Sequence, residues 1–316
     1  MLVPVLTDEQ GRELDNAARC PTLLPGGRVM PTAGSAYATE VAMPALVQDL
    51  TPAAVIPALE ANLVASWRLF SCLPGAELHD TADLLWVATD IPFAPFNGVL
   101  RTCLPPQAVD GTITTTLQHF VRRQVPMLWL VTPSTHPPDL GQHLVAHGLV
   151  PVVDDPGMAL ALHTLPTDLP TPSGFTVTRV DDLASLRAWA SFADQPGVAD
   201  ALVAWGSATG FAAERELYHY LGRLEGRPVA TATLVLGGGV AGLYSVMTVP
   251  EVQRRGIGAL MTVEPLRAAQ DRGYRVGVLQ ASPMGLPLYR RLGFQEYCRI
   301  AGYLWQGAGA EVRMPA

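Results

Sequence analysis

The chain has 316 residues, 49% of them apolar, which is long for one ordinary domain and enough for two with substantial cores. Lys and Arg number 21 against 28 Asp and Glu, a net charge of −7 that argues against a general nucleic-acid binder. Four scattered cysteines (Cys20, Cys72, Cys103, Cys298) without a CxxC pair indicate neither a zinc site nor a disulfide framework, and fit a reducing cytoplasm.

Residues 1–42 show little periodicity and several turn signals, among them Pro25-Gly26-Gly27, and read as a poorly structured arm dispensable for folding. No basic region followed by an apolar one marks a signal peptide there. A folded unit is expected over 43–163. Ile56, Leu59, Leu63, Val64 and Trp67 recur at helical spacing between Thr51 and Leu69. Strand-like runs follow at Leu84–Thr89 and Gly98–Cys103, then a helix over Gly111–Arg123 and a strand at Met127–Thr132. A short helix from Leu140 to His147 is closed by Gly148. His143 and His147 lie one turn apart, but no HExxH glutamate or third ligand accompanies them, so no metal is expected. Trp67, Trp86 and Trp129 read as core.

The Pro-rich run Leu165–Gly174 supplies a linker, placed at 164–174, and a second unit spans 175–316. Its expected order is a strand at Phe175–Val180, helices at Asp181–Ala190 and Val198–Thr209, and strands at Leu217–Leu224, Val229–Leu236 and Val240–Val249. A helix at Gly256–Asp271, a strand at Arg275–Gln280, a helix at Gly285–Leu292 and a strand at Cys298–Trp305 complete it. The uncharged stretch Pro228–Pro250 could pass for a membrane span. Gly237-Gly238-Gly239 between two β-prone runs makes it a hairpin instead. The order describes a mixed α/β sheet.

The two units read as a degenerate repeat. Val276–Pro283 with Gly293-Phe294 has a counterpart in Leu128–Ser134 with Gly148-Leu149: strand, Ser/Thr-Pro turn, short helix, glycine and an apolar residue. The first unit has no Gly-x-Gly and no paired arginines at Pro105–Gly111, so nothing there could cradle a pyrophosphate.

The second unit does. Tyr244–Val249 runs into Pro250-Glu251-Val252-Gln253-Arg254-Arg255-Gly256-Ile257-Gly258-Ala259, a basic glycine turn that opens a helix. Bare N–H groups and the helix dipole favour an anion at such a turn, and Arg254 and Arg255 add charge. It is not a P-loop, since no Gly-Lys-Ser/Thr follows, nor a dinucleotide fingerprint, since Met261 stands where a third small residue belongs. With Tyr289-x-x-x-Gly293-Phe294 downstream, the segment resembles the GNAT superfamily of acyl-CoA N-acyltransferases. That family's Gln/Arg-x-x-Gly-x-Gly/Ala pattern matches at Gln253, Gly256 and Gly258.

The resemblance implies tandem GNAT-like domains, each a mixed, mostly antiparallel sheet flanked by helices, with only the C-terminal one active. It implies that the strand before the turn splays from its neighbour and pairs with the pantetheine arm of acetyl-CoA through Met247, Thr248 and Val249. The N–H groups of Arg255, Gly256, Ile257, Gly258 and Ala259 would meet the pyrophosphate, and Arg254 lies beside them. Tyr289 matches the general acid that protonates the departing thiolate. The expected activity is acetyl transfer to a primary amine by direct attack, acetyl-CoA being a co-substrate and no metal taking part; a non-catalytic acyl-CoA sensor or scaffold is the alternative.

The general base is open among Glu214, Glu216 and Glu264. The acceptor, a small molecule or a peptide amine, is also open; Asp194, Asp200, Glu214 and Glu216 hint at a cationic one. No nucleic acid or membrane partner is expected, and the oligomeric state is undetermined. Pro265 should kink the helix that begins at Gly256.

Overall fold

The computed structural model describes residues 45–209 and 216–307, together with β1 (Leu23–Leu24) and β2 (Arg28–Val29), a pair of two-residue antiparallel strands. The chain divides into two compact units, Met1–Met43 and Pro44–Ala316. The arm expected at 1–42 otherwise lies outside the described residues.

In the second unit, the first half contains α1 (Pro52–Arg68), β3 (Glu77–Asp80), β4 (Leu84–Ala88), β5 (Gly98–Thr102), α2 (Val109–Arg123), β6 (Met127–Val131), α3 (Leu140–Ala146) and β7 (Val150–Ala161). Pro52 opens α1 where its missing N–H would have had no helical partner. The second half contains β8 (Phe175–Arg179), α4 (Leu183–Ala190), α5 (Val198–Thr209), β9 (Leu217–Leu224), β10 (Arg227–Gly237), β11 (Val240–Thr248), α6 (Ile257–Asp271), β12 (Val276–Gln280), α7 (Leu286–Arg291) and β13 (Gln295–Trp305). Asp182 caps α4 by accepting from Ser185 N at 2.6 Å. The Pro228–Pro250 stretch is the expected hairpin, β10 against β11. Among the described residues no helix is long and apolar enough to cross a membrane.

Eleven strands form one sheet in the order β3-β4-β5-β6-β13-β7-β12-β11-β10-β9-β8. The halves exchange their last strands. β7 of the first half runs antiparallel to β12 from Val276↔Ala161 to Gln280↔Gly157, and β13 of the second runs antiparallel to β6 from Ala301↔Val131 to Trp305↔Met127. The two units expected at 43–163 and 175–316 are therefore knitted through a common sheet, and the run after Leu165 is a covalent link between interleaved halves.

No local pattern predicts β7, because Pro151, Asp154, Asp155, Pro156 and Gly157 all argue against a strand. Its proline-bearing part, Val150–Pro156, pairs with β13, and on the other side Pro156 O accepts from Ala281 N at 3.0 Å, a bond that needs no proline N–H. Missing N–H groups are tolerable on that side.

Side chains alternate between two faces. On β10, Ala230, Ala232, Leu234 and Leu236 join the core beneath α6 and α7, whereas Val235 points into the core beneath α4 and α5. The central core mixes both halves: Val55, Leu59 and Leu63 of α1 pack with Val87, Leu130 and Ala159 and with Val240, Val276, Val278 and Ile300. Asn62, fully buried on α1, donates to Val235 O (3.0 Å), Gly237 O (2.9 Å) and Val240 O (3.3 Å) of the second half, and Tyr244 OH donates to its Oδ1 at 2.7 Å. A Cβ at residue 242 would collide with that Oδ1, which is why glycine stands there. α6 runs unbroken through Pro265, whose ring is buried against the sheet.

Candidate active site

The parallel strands β11 and β12 pair only at Ala241↔Gly277 and Gly242↔Val278, near the start of β11. Beyond that point they part. Ser245, at φ +50°, makes a bulge at which the register with β10 shifts, and Thr231 Oγ1 steadies it by donating to Ser245 O at 2.9 Å. A wedge thus opens toward the C-terminal ends of both strands, where α6 and α7 begin. Val249 donates its N–H to Val229 O at 2.9 Å, and bonded pairs recur every second residue in an antiparallel ladder. Met247, opposite Thr231, therefore also turns its polar groups to β10. The main-chain groups facing the wedge belong to Val246 and Thr248. Met247 and Val249, expected to face it, turn these groups to β10 instead.

The turn after β11 is held from within. Gln253 Nε2 donates to Thr248 O at 3.0 Å, tying the turn to the strand end. Arg254 (φ +61°) and Gly256 (φ +85°) take left-handed conformations, so the chain folds into a concave run of N–H groups. Ala259 already donates to Gly256 O at 3.0 Å. The groups left at the mouth of α6 are then the N–H of Arg255, Gly256, Ile257 and Gly258. Arg254 and Arg255 are exposed and form no ion pair among the described residues. Two free cations, a concave set of donors and a helix N-terminus fit a pyrophosphate. Gly258 serves a further purpose: a Cβ there would lie 3.1 Å from Leu288 Cδ2, so its absence lets α7 close on the first turn of α6.

That contact places Tyr289, the residue after Leu288, beside the site. Tyr289 is buried at 8% exposure, its ring 5.8 Å from Phe294 in an edge-on packing, and its Cε2 approaches Gly285 where a Cβ would stand at 2.7 Å. Its hydroxyl has no hydrogen-bond partner among the described residues. Burial pushes its pKa up to about 12, so the phenol keeps its proton throughout the physiological range.

The first half repeats the geometry and closes it. β5 and β6 pair only at Gly98↔Leu128 and Val99↔Trp129 before diverging. The chain after β6 then fills the gap: His136 N donates to Thr102 O at 2.9 Å and Leu104 N to His136 O at 3.0 Å, bridging Cys103 to His136. Trp129 Nε1 donates to Thr102 Oγ1 at 3.0 Å across the same gap. No strand-like ligand could pair there without displacing the protein's own backbone.

Of the possible bases, Glu214 lies outside the described residues. Glu216, whose carboxyl is raised by burial, sits near Tyr274 at the C-terminal end of α6, roughly 20 Å of helix from the turn. Glu264 pairs with Arg267 at 2.8 Å, and Arg267 also bonds Pro166 O and Thr167 O of the link. Neither belongs to the wedge. Asp194 and Asp200 are exposed. His143 Nδ1 contacts Asp110 Oδ1 at 2.9 Å and His147 Nδ1 contacts His143 O at 2.8 Å. Among the described residues no group of three or more His, Cys, Asp or Glu could hold a metal ion.

Residues 183–294 match the sequence model of the acetyltransferase (GNAT) family. A comparison with curated proteins finds no match. Among solved structures, a GCN5-related N-acetyltransferase from Kribbella flavida is 21% identical at a TM-score of 0.58, covering 78% of this chain and 96% of its own. A GCN5-related N-acetyltransferase from Sphaerobacter thermophilus is 17% identical at 0.53, covering 84% and 96%. A tandem GNAT protein from the clavulanic acid biosynthesis pathway is 13% identical at 0.52, covering 85% and 99%. At these identities the likeness is one of fold.

Proposed function

We propose, for a chain that carries a GNAT acyltransferase domain at residues 183–294, an N-acetyltransferase activity that moves acetyl from acetyl-CoA to a primary amine. The observation that carries this reading is the open β11–β12 wedge ending at a cationic turn of free N–H groups, beside a first-half wedge closed by its own chain. Acetyl-CoA supplies an activated thioester. Val246 and Thr248 offer a strand edge to its amide-bearing arm, Arg255–Gly258 cradle its pyrophosphate, and Arg254 and Arg255 neutralise charge. The neutral amine attacks the thioester carbonyl, the C–N bond forms, the nitrogen releases a proton to solvent water and the C–S bond breaks. Tyr289 then stands ready to donate a hydrogen bond, or its proton, to the departing sulfur.

Direct attack is favoured over a covalent enzyme intermediate. The half-buried Cys298 has its thiol pushed up to about 11, and it lies on β13, away from both glycine motifs. The site is expected to work in the cytoplasm. Calorimetry with acetyl-CoA should find one site per chain, and a free-thiol assay with an amine panel should show acceptor-dependent release. Two sites per chain, or binding without release for any amine, would overturn the reading.

A further inference from the structure

The wedge is a fork, and the first half of the chain holds both of its prongs. β12 is bonded to β7 along its whole length, from Val276↔Ala161 to Gln280↔Gly157, and Ala281 N extends the contact by donating to Pro156 O at 3.0 Å. That prong moves only if β7 does. β11 is held at its base by α1 and the segment before it. Val47 N donates to Gly239 O at 3.0 Å in the turn that enters β11, and the Asn62 amide bonds Val235 O, Gly237 O and Val240 O around the same turn.

α1 reaches further, to the point where the prongs part. Asn62 Oδ1 lies over Gly242, which with Val278 makes the last β11–β12 pair, and it accepts from Tyr244 OH at 2.7 Å. Continuing that register sets Tyr244 across from Gln280. The side chains of Ser66 and Gln280 are the other polar groups that reach the Tyr244 hydroxyl. Where backbone pairing between the prongs stops, a side-chain contact between them takes over, and two residues of α1 brace it. Ser245, next in the chain, has the left-handed φ of the bulge, and beyond it the ladder partner of β11 is β10 alone. Thr248 lies four residues, about 13 Å, past Tyr244. A swing of about 10° at the brace would carry it about 2 Å, enough to lose a main-chain hydrogen bond.

We propose that Asn62 and Ser66 are positioning residues for acetyl-CoA: through Tyr244 they fix the angle at which β11 leaves β12, and so hold Val246 and Thr248 at pairing distance from the pantetheine arm before it arrives. A preset opening spares the ligand the cost of ordering it. The glycine turn lies outside this brace, so binding of the phosphates does not depend on it. The inference rests on the acetyl-transfer reading for the identity of the ligand.

Calorimetry on the full chain with CoA and with adenosine 3′,5′-bisphosphate, which has phosphates but no pantetheine arm, reads the wedge against the turn. Tyr244→Phe keeps the ring and removes the braced hydroxyl. It should weaken CoA about 3- to 10-fold, the value of one buried hydrogen bond, and leave the bisphosphate unchanged. Ser66→Ala, which alters only α1, should shift CoA in the same direction, and it decides alone if Tyr244→Phe does not fold. An equal fall for both ligands would mean a general loss of packing, and unchanged CoA affinity would mean that the wedge keeps its angle without α1. Either result overturns the inference and leaves acetyl transfer standing. Wild-type protein that does not bind CoA would sink the acetyl-transfer reading, and this inference with it.

Discussion

Replacing Tyr289 by Phe removes one hydroxyl and keeps the ring that packs edge-on against Phe294. Because that hydroxyl has no hydrogen-bond partner among the described residues, its loss strands nothing, and stability should change by less than about 1 kcal/mol. The kinetic effect follows from its acidity. A phenol at about 12 faces a leaving thiolate whose conjugate acid is near ~8.5, so complete proton transfer to a free thiolate is uphill by ~3.5 units, or about 5 kcal/mol. Tyr289 therefore acts first as a hydrogen-bond donor to sulfur as negative charge develops. A bond to a charged group contributes about 1.5–3 kcal/mol, which corresponds to a loss of roughly 10- to 150-fold in turnover. The bond exists mainly in the transition state, so kcat should fall while KM for acetyl-CoA holds. Single-turnover thiol release at saturating acceptor measures the chemical step directly. A wild-type rate constant in Tyr289→Phe would refute the assignment, and an equal rise in KM would mean the hydroxyl binds the ground state instead.

Asn62→Leu should cost about 1–3 kcal/mol in urea denaturation, because it removes the amide's bonds to Val235 O, Gly237 O and Val240 O and the oxygen that accepts from Tyr244 OH; an unchanged midpoint would mean those bonds contribute nothing net. His219 gives a pH signature. Its folded pKa, about 3, lies below the unfolded value near ~6.5, so the unfolded chain binds the extra proton and stability falls as pH drops through that window. Between pH 6.5 and 5 the loss should be about 2 kcal/mol, and His219→Gln should flatten this part of the profile. The halves 44–163 and 175–316 should be insoluble when expressed alone, since β6 would lack β13 and β12 would lack β7, yet should form a soluble complex when co-expressed. A soluble 175–316 fragment that binds acetyl-CoA would contradict the reciprocal exchange.

Local signals carried much of this protein. Helical spacing at Ile56–Trp67 announced α1, and the triple glycine placed the β10–β11 turn. Gln253, Gly256 and Gly258 marked the glycine turn that opens α6 because a left-handed φ, a helix start and a brace to the strand end are properties of a few consecutive residues. The same holds for the missing glycine turn in the first half. Strand partnership was another matter. β7, with two prolines and an Asp pair, gains its strand conformation from β13 and β12, which lie more than a hundred residues away, and no local pattern encodes that pairing. Which main-chain groups face the wedge depended on a bulge at Ser245 and on the parity of the ladder with β10, which turns Met247 and Val249 to β10 and leaves Val246 and Thr248 facing the wedge. Glu214, Glu216 and Glu264 looked equivalent in the sequence. Only the position of Glu216 at the far end of α6 and the pairing of Glu264 with Arg267 separated them from the site. Sequence determined what each segment can do by itself. Tertiary structure decided which segments meet, because hydrogen bonds between strands and burial between faces act between residues distant along the chain.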